Sequence, residues 1–135
     1  MYGSETWPIK VEDMQRLERT EKMMVRWMCG VTLKNKISSG ELYSRLNVEA
    51  VSDIVRRGRL RWFGHLERKS QDDWVSACRD LEVKGVNRKG RCRKTWGECV
   101  RNDLALLGLR RDWARDRVRW RGCICGNRPT RASMD

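Results

Sequence analysis

The chain has 135 residues and a formal net charge of +12, and 39% of its residues are hydrophobic while 36% are charged. This composition excludes a plainly disordered chain. No apolar run approaches the roughly 20 residues of a spanning helix, so we expect no membrane contact. The N-terminus lacks the basic and then apolar segments of a secretory signal, which favours an intracellular protein of the nucleus or cytoplasm that is not secreted.

Helical periodicity and capping signals, without strand signals, predict an all-α chain, a small irregular bundle of about five to six helices. A first helix is predicted over residues 10–29, with Gly30 placed to end it. A short helix over 39–47 and a longer one over 51–68 should follow. These two helices resemble a helix-turn-helix in outline, but any antiparallel pair of helices shares that outline.

The 51–68 helix has an apolar stripe that leaves two large apolar residues out. The stripe consists of Val51, Ile54, Val55, Gly58, Trp62 and Leu66. Leu60 and Phe63 fall on another side of the helix. We interpret them as contacts for a second packing partner, such as one absent from this chain.

A short helical piece and a basic loop are predicted next. Asp72 or Asp73 caps the piece, which runs to Leu81. Residues 84–94 form a glycine-punctuated basic loop. Its glycines would let the backbone approach a phosphate chain, and the alternative is a flexible, solvated linker.

Two further helices are predicted after the loop. Thr95 and Glu98 form a capping box at the start of the first, and Gly108 ends it. Its inward residues are predicted to be Trp96, Cys99, Val100, Leu104 and Leu107. We place Trp96 in the core rather than on a base. The last helix is predicted to begin near Asp112, and its aligned apolar residues are Trp113, Trp120 and Ile124.

The charge is distributed unevenly along the chain. Residues 1–53 hold 8 basic and 8 acidic residues, whereas residues 54–135 hold 22 and 10 and carry the whole net charge. We divide the chain into a helical segment 1–69, a basic helical segment 70–125 and a flexible, disordered tail 126–135. Arginine outnumbers lysine 22 to 8, and its planar fork suits phosphate. The charge therefore favours the backbone of RNA or DNA as partner, while a ribosomal-like or drifted basic surface remains open.

The six cysteines lack the spacing of a metal site. The closest pair is Cys123-x-Cys125, whereas zinc ligands come in pairs such as Cys-x2–4-Cys. We interpret the cysteines as reduced and mostly buried, with a zinc site as the alternative. His65, the single histidine, is interpreted as a packed residue rather than a base.

The residues give no support to an active site. Gly85-x4-Gly90 is half of a phosphate loop, but Arg91 and Cys92 stand where lysine and serine or threonine must follow. Clustered carboxylates for two-metal chemistry are missing as well. We predict no catalytic residue, cofactor, metal or small-molecule ligand. A free-standing enzyme is a further hypothesis, and it would require a metal or nucleophile site of this kind.

Four segments, in order and spacing, resemble a known family. Segment 1 is Tyr2-Gly3-Ser4-Glu5-Thr6-Trp7, segment 2 is Arg59-Leu60-Arg61-Trp62-Phe63-Gly64-His65-Leu66, segment 3 is Gly90-Arg91-Cys92-Arg93-Lys94-Thr95-Trp96 with Cys99-Val100 and Asp103-Leu104, and segment 4 is Asp116-Arg117-Val118-Arg119-Trp120-Arg121. Together they resemble the C-terminal region of non-LTR retrotransposon endonuclease–reverse transcriptases of the RTE-like or related kinds. The resemblance covers nearly the whole chain, and Cys92 departs from the family's usual proline.

The resemblance implies a region that follows the polymerase thumb and holds template RNA or target DNA by its backbone. The family's endonuclease and palm domains precede this region, so we expect a truncated fragment without polymerase or endonuclease activity. Its other partners would be the missing domains of the parent enzyme. The residues expected to neutralise phosphates are Arg56, Arg57, Arg59, Arg61, Arg88, Lys89, Arg91, Arg93, Lys94, Arg115, Arg119 and Arg121. The alternative is an inert remnant or a protein-interaction scaffold with no ligand of its own.

Overall fold

The computed structural model describes residues 3–70, 72–81, 90 and 94–125, and these residues form helices and their connections, without a strand. The α-helices are α1 (Val11–Met28), α2 (Ser39–Leu46), α3 (Val51–Glu67), α4 (Trp74–Asp80), α5 (Trp96–Leu107) and α6 (Arg117–Cys125). Two short 3-10 helices are Leu33–Asn35 and Arg111–Arg115. The prediction of an all-α bundle is confirmed for this part of the chain. Most of the predicted basic loop and the predicted tail lie outside the described residues.

Most helix ends lie where neighbouring residues predicted them. Gly30 follows α1 with a φ of 63°, and the amide of Val31 donates to the carbonyl oxygen of Arg26 at 3.0 Å. This pair of features is a Schellman motif, which satisfies carbonyl groups at the end of a helix. At the start of α5, Thr95 and Glu98 exchange both hydrogen bonds of the predicted capping box.

The last helix begins later than predicted. Residues Arg111–Arg115 form a separate 3-10 helix, and Asp116 then adopts an extended conformation. The carboxylate of Asp116 accepts hydrogen bonds from the amides of Val118 and Arg119, at 2.9 and 3.1 Å. Asp116 is therefore the N-cap of α6, and the predicted start near Asp112 is wrong.

The chain divides into two compact units, and the boundary falls inside α3. The small unit is Ile9–Arg56, and the large unit combines Met1–Pro8 with Arg57–Asp135. The predicted boundary between residues 69 and 70 differs from this one. The reason is that the second half of α3 supplies core residues to the large unit.

In the small unit, α1 and α2 each contribute a buried residue, Val25 and Leu42. The carboxylate of Glu21 accepts one hydrogen bond from the hydroxyl of Tyr43 at 2.9 Å and another from the amide of Val51 at 3.0 Å. Partial burial and the hydrogen bond to the Glu21 carboxylate raise the pKa of Tyr43 to about 12. One carboxylate thus connects α1, α2 and the start of α3.

The core of the large unit forms where α3, α5, α6 and the second 3-10 helix meet. Its buried residues are Leu60, Phe63, Val100, Ala114, Trp120 and Ile124, and the partly buried residues around them are Trp96, Leu104, Leu107, Leu109 and Trp113. The Phe63 ring lies 5.9 Å from the Trp120 ring, centroid to centroid. The partner of Leu60 and Phe63 is therefore present in this chain, which corrects the interpretation made from the sequence. In the predicted stripe, by contrast, Ile54 is 46% exposed.

A glycine allows α3 to contact the indole of α6 directly. A Cβ at Gly64 would overlap the Nε1 and Cδ1 atoms of Trp120 and would lie 3.0 Å from a guanidinium nitrogen of Arg68. In the space that Gly64 leaves, Trp120 Nε1 donates to the carbonyl oxygen of Leu60 at 2.9 Å. Trp120 is 2% exposed, so its single polar atom is satisfied where burial would otherwise be costly.

A buried ion pair lies beside this core. The Nε atom of Arg59 is 2.7 Å from an Oδ atom of Asp103, and the two side chains are 10% and 12% exposed. Hydrogen-bonded geometry of this kind offsets the cost of removing both charges from water. The pair joins α3 to α5 across 44 positions of sequence.

Candidate nucleic-acid interface

A cleft of about 850 Å³ lies between α3 and α6 in the large unit. Gly58, Arg61, Trp62 and His65 line it from α3, at positions that recur on one face of a helix. The facing residues of α6 are Arg117, Trp120, Arg121, Ile124 and Cys125. Since Leu60 and Phe63 occupy another face of α3, the helix supports the core on one side and the cleft on the other.

The cleft is strongly cationic. Arg61, Arg68, Arg117 and Arg121 line it, and Glu5 is the one acid among its described lining residues. No ion pair between described residues engages Arg61, Arg117 or Arg121, all of which are exposed. Arg68 donates from Nη1 to the carbonyl oxygen of Ala114 at 2.7 Å, which orients its guanidinium group. Several guanidinium groups around one concavity create a positive potential that attracts phosphate oxygens.

Two aromatic side chains accompany these cations. The rings of Trp62 and His65 are stacked, with centroids 5.3 Å apart and planes inclined by 28°. Trp62 is half-buried, and His65 is exposed on the wall of the cleft. His65 is thus an exposed residue that stacks on one indole, whereas the sequence predicted a packed residue.

Of the arginines predicted on α3, only one lies in the cleft. Arg61 lines it, whereas Arg56 is half-buried, belongs to the small unit and pairs with Asp53 at 2.6 Å. Arg57 is half-buried as well. Arg59 is buried in its ion pair, so its guanidinium group cannot reach a phosphate without breaking that pair. We therefore withdraw Arg59 from the predicted binding residues.

Of the predicted phosphate-binding residues after α3, some line the cleft and others do not. Arg121 lines the cleft. Lys94, Arg115 and Arg119 are exposed but are not among its lining residues, and the guanidinium of Arg119 lies 4.4 Å from the centroid of the Trp113 ring. The remaining predicted residues, Arg88, Lys89, Arg91 and Arg93, lie outside the described part of the chain.

Sequence reasoning missed four of the residues that the fold brings together. These are Trp62, His65, Arg68 and Arg117. A signal for them exists in the spacing of residues 61, 62 and 65 on α3 and of residues 117 and 121 on α6, because residues three or four apart share a helix face. The spacing alone could not show that these two faces lie opposite each other.

The cysteines are less buried than predicted. Five are described and are free: Cys99 is buried, Cys29 and Cys123 are half-buried, and Cys78 and Cys125 are exposed. The interpretation as mostly buried residues is therefore wrong.

Trp96 was predicted to lie in the core rather than to stack on a base. Its half-buried ring packs against the core of the large unit, which agrees with that prediction.

Known proteins give no further guide to the site. Scans against protein-family models, curated proteins and solved structures find no match to this chain. Among the described helices, none combines the length and the apolar character needed to cross a membrane.

Proposed function

We propose that this chain is a truncated C-terminal fragment of a non-LTR retrotransposon reverse transcriptase that binds the backbone of RNA or DNA without sequence preference. The polymerase and endonuclease activities would belong to other parts of the parent enzyme, so the chain itself would not be an enzyme. The observation that carries the binding proposal is the cleft between α3 and α6, which four arginines line. Arginine binds phosphate bidentately, and backbone binding requires no base-specific contact.

The four resemblance segments contact one another within the large unit. The Nε1 atom of Trp96 in segment 3 donates to the carbonyl oxygen of Glu5 in segment 1, at 2.8 Å. Segments 2 and 3 meet in the ion pair of Arg59 with Asp103. Segments 2 and 4 meet where Trp120 occupies the space beside Gly64. A set of residues that resembles one family along the chain therefore also forms one compact unit.

Fluorescence anisotropy with a labelled oligonucleotide tests the binding proposal. The double variant Arg61→Glu/Arg121→Glu should bind at least tenfold more weakly than the unchanged chain, on the order expected for reversing two phosphate contacts. Arg101→Glu/Arg115→Glu serves as a control with the same change in charge, since Arg101 and Arg115 are both exposed and neither lines the cleft. Equal losses in the cleft and control variants, or binding by the unchanged chain that does not respond to salt, would contradict the proposal.

A protein-interaction scaffold is the second candidate, and an apolar face of α1 favours it. Met23, Met24, Trp27 and Met28 lie within two turns of this helix and are 72%, 58%, 84% and 56% exposed. Contiguous exposed apolar residues of this size often mark a protein contact. Light scattering and a circular dichroism melt distinguish the candidates. Self-association without cooperative unfolding favours the remnant or scaffold, whereas a cooperative melt with oligonucleotide affinity favours the binding module.

A further inference from the structure

We infer that the cleft selects single-stranded over double-stranded nucleic acid, with an unpaired base stacked on the Trp62–His65 pair and the neighbouring phosphates held by the cleft arginines. This inference rests on the proposed function and specifies its substrate. It adds a contact to the bases, whereas the backbone proposal needs the phosphates alone. The shared chemistry is that of any unpaired strand, RNA or DNA.

The dimensions of the cleft suit a strand rather than a duplex. Its volume of about 850 Å³ lies within the range of about 300–1,000 Å³ for pockets that enclose small ligands. That space accommodates a nucleotide or two. A duplex presents a broad convex surface and keeps its bases paired inside, so it could meet the rim arginines but could not place a base in the cleft.

The aromatic pair provides the surface on which a base can stack. His65 is exposed on the cleft wall, and the indole of Trp62 supports its ring from one side at a centroid distance of 5.3 Å. Bases stack on histidine and tryptophan rings in proteins that bind single strands. Such stacking tolerates any sequence, because every base has a π-face.

The arginines are placed to hold the phosphates on both sides of that base. Arg61 is the residue before Trp62 on α3, so its side chain leaves the helix next to the aromatic pair. Arg117 and Arg121 lie on the facing helix, one turn apart, and the rise of an α-helix separates them by about 6 Å along its axis. A strand lying between the two helices would thus meet cations on both walls, while the base stays accessible to His65.

The inference is tested with the full chain and labelled oligonucleotides of equal length. The probes are oligo(dT), oligo(rU), an abasic strand with the deoxyribose-phosphate backbone of oligo(dT), and a dT·dA duplex. At one salt concentration, oligo(dT) or oligo(rU) should bind at least about fivefold more tightly than the abasic strand and the duplex, the contribution expected of one stacked base. The ratio between oligo(dT) and oligo(rU) then shows whether the cleft prefers DNA or RNA.

Side-chain variants assign that difference to the cleft. Trp62→Ala and His65→Ala should each weaken oligo(dT) binding by about fivefold and leave the affinity for the abasic strand unchanged. Trp74→Ala is the matched control, because Trp74 is 75% exposed on α4 and does not line the cleft. His65→Ala keeps the test decisive even where loss of the half-buried Trp62 disturbs folding, since His65 is exposed.

A pair of glycine variants tests the cleft by filling it. A Cβ at Gly58 or at Gly122 meets no atom within 4 Å, yet only Gly58 lines the cleft. Gly58→Leu should therefore weaken oligo(dT) binding by about fivefold or more, the contribution of one stacked base, whereas Gly122→Leu should leave it unchanged. Equal binding by both variants would overturn the inference.

Two results separate failure of the inference from failure of the proposed function. Salt-dependent binding that is equally tight for oligo(dT), the abasic strand and the duplex would overturn the inference and leave backbone binding in place. Absence of binding to every probe would overturn both.

Discussion

The indole Nε1 of Trp120 donates a hydrogen bond to the main-chain carbonyl oxygen of Leu60 at 2.9 Å, although the two residues are 60 positions apart. The contact depends on Gly64, whose missing side chain gives the indole its place against α3. The same helix lines the cleft through Arg61, Trp62 and His65. The packing of Trp120 against α3 thus joins the two helices whose facing sides form the cleft.

Two glycines of α3 should respond to alanine in opposite directions. Gly64→Ala should lower the free energy of unfolding by about 1–3 kcal/mol, because the added methyl group overlaps the indole of Trp120. Gly58→Ala should raise it by about 0.5–1 kcal/mol, since its Cβ points into open space and alanine favours a helix. Urea unfolding followed by circular dichroism measures both. A stabilising Gly64→Ala would show that Trp120 does not pack against residue 64.

The ion pair of Arg59 with Asp103 should contribute to stability and not to nucleic-acid affinity. Asp103→Ala should lower the free energy of unfolding by about 3–5 kcal/mol, because it leaves a buried guanidinium without its partner. Replacing both residues, as Arg59→Met/Asp103→Leu, should cost less than Asp103→Ala alone. Urea unfolding of the single and double variants checks this order.

Oligonucleotide binding by the double variant provides the complementary measurement. Its affinity should equal that of the unchanged chain, since the Arg59 side chain is 10% exposed. A loss of affinity comparable with that of Arg61→Glu would restore Arg59 to the binding residues.

Ionisation of the Tyr43 phenol should make the folded chain less stable in alkaline solution. The folded-state pKa of about 12 exceeds the ordinary value of 10.0, so the neutral phenol is favoured in the folded chain. Its contribution to stability is fully present below pH 10 and is lost as the pH rises from 10 to about 12. The stability difference between the unchanged chain and Tyr43→Phe should therefore be constant below pH 10 and shrink above it. A difference that grows with pH in that range would contradict the assignment.

Local signals explain why the helix ends were predictable. Gly30, Thr95 and Glu98 act on groups within about one turn of themselves, so their neighbours in sequence suffice to interpret them. Asp116 carried the same kind of signal, and the alignment of Trp113 with Trp120 obscured it. A single apolar period through both tryptophans predicts one helix, whereas the stretch forms a 3-10 helix followed by an α-helix.

The packing faces of α3 were less predictable, for a physical reason. Its second half buries Leu60 and Phe63 on one side and exposes Arg61 and His65 on another. Of the predicted stripe in this half, Gly58 and Trp62 line the cleft, whereas Leu66 is buried. Which face meets the core depends on residues of α5 and α6 more than 30 positions away, and the buried partner of Arg59 is equally remote. No periodicity within one helix encodes those choices.

The dependence of binding on salt should identify the arginines that hold phosphates. If the four arginines of the cleft engage four phosphates of a single strand, log K should fall with log salt at a slope of about −3. Any phosphate contacts from the predicted loop would make it steeper, toward the −4 to −5 expected for about six contacts. Arg61→Gln and Arg121→Gln should each reduce the slope by about 0.7, whereas Arg115→Gln, outside the cleft lining, should leave it unchanged. Equal reductions for Arg61→Gln and Arg115→Gln would assign binding to diffuse surface charge rather than to the cleft.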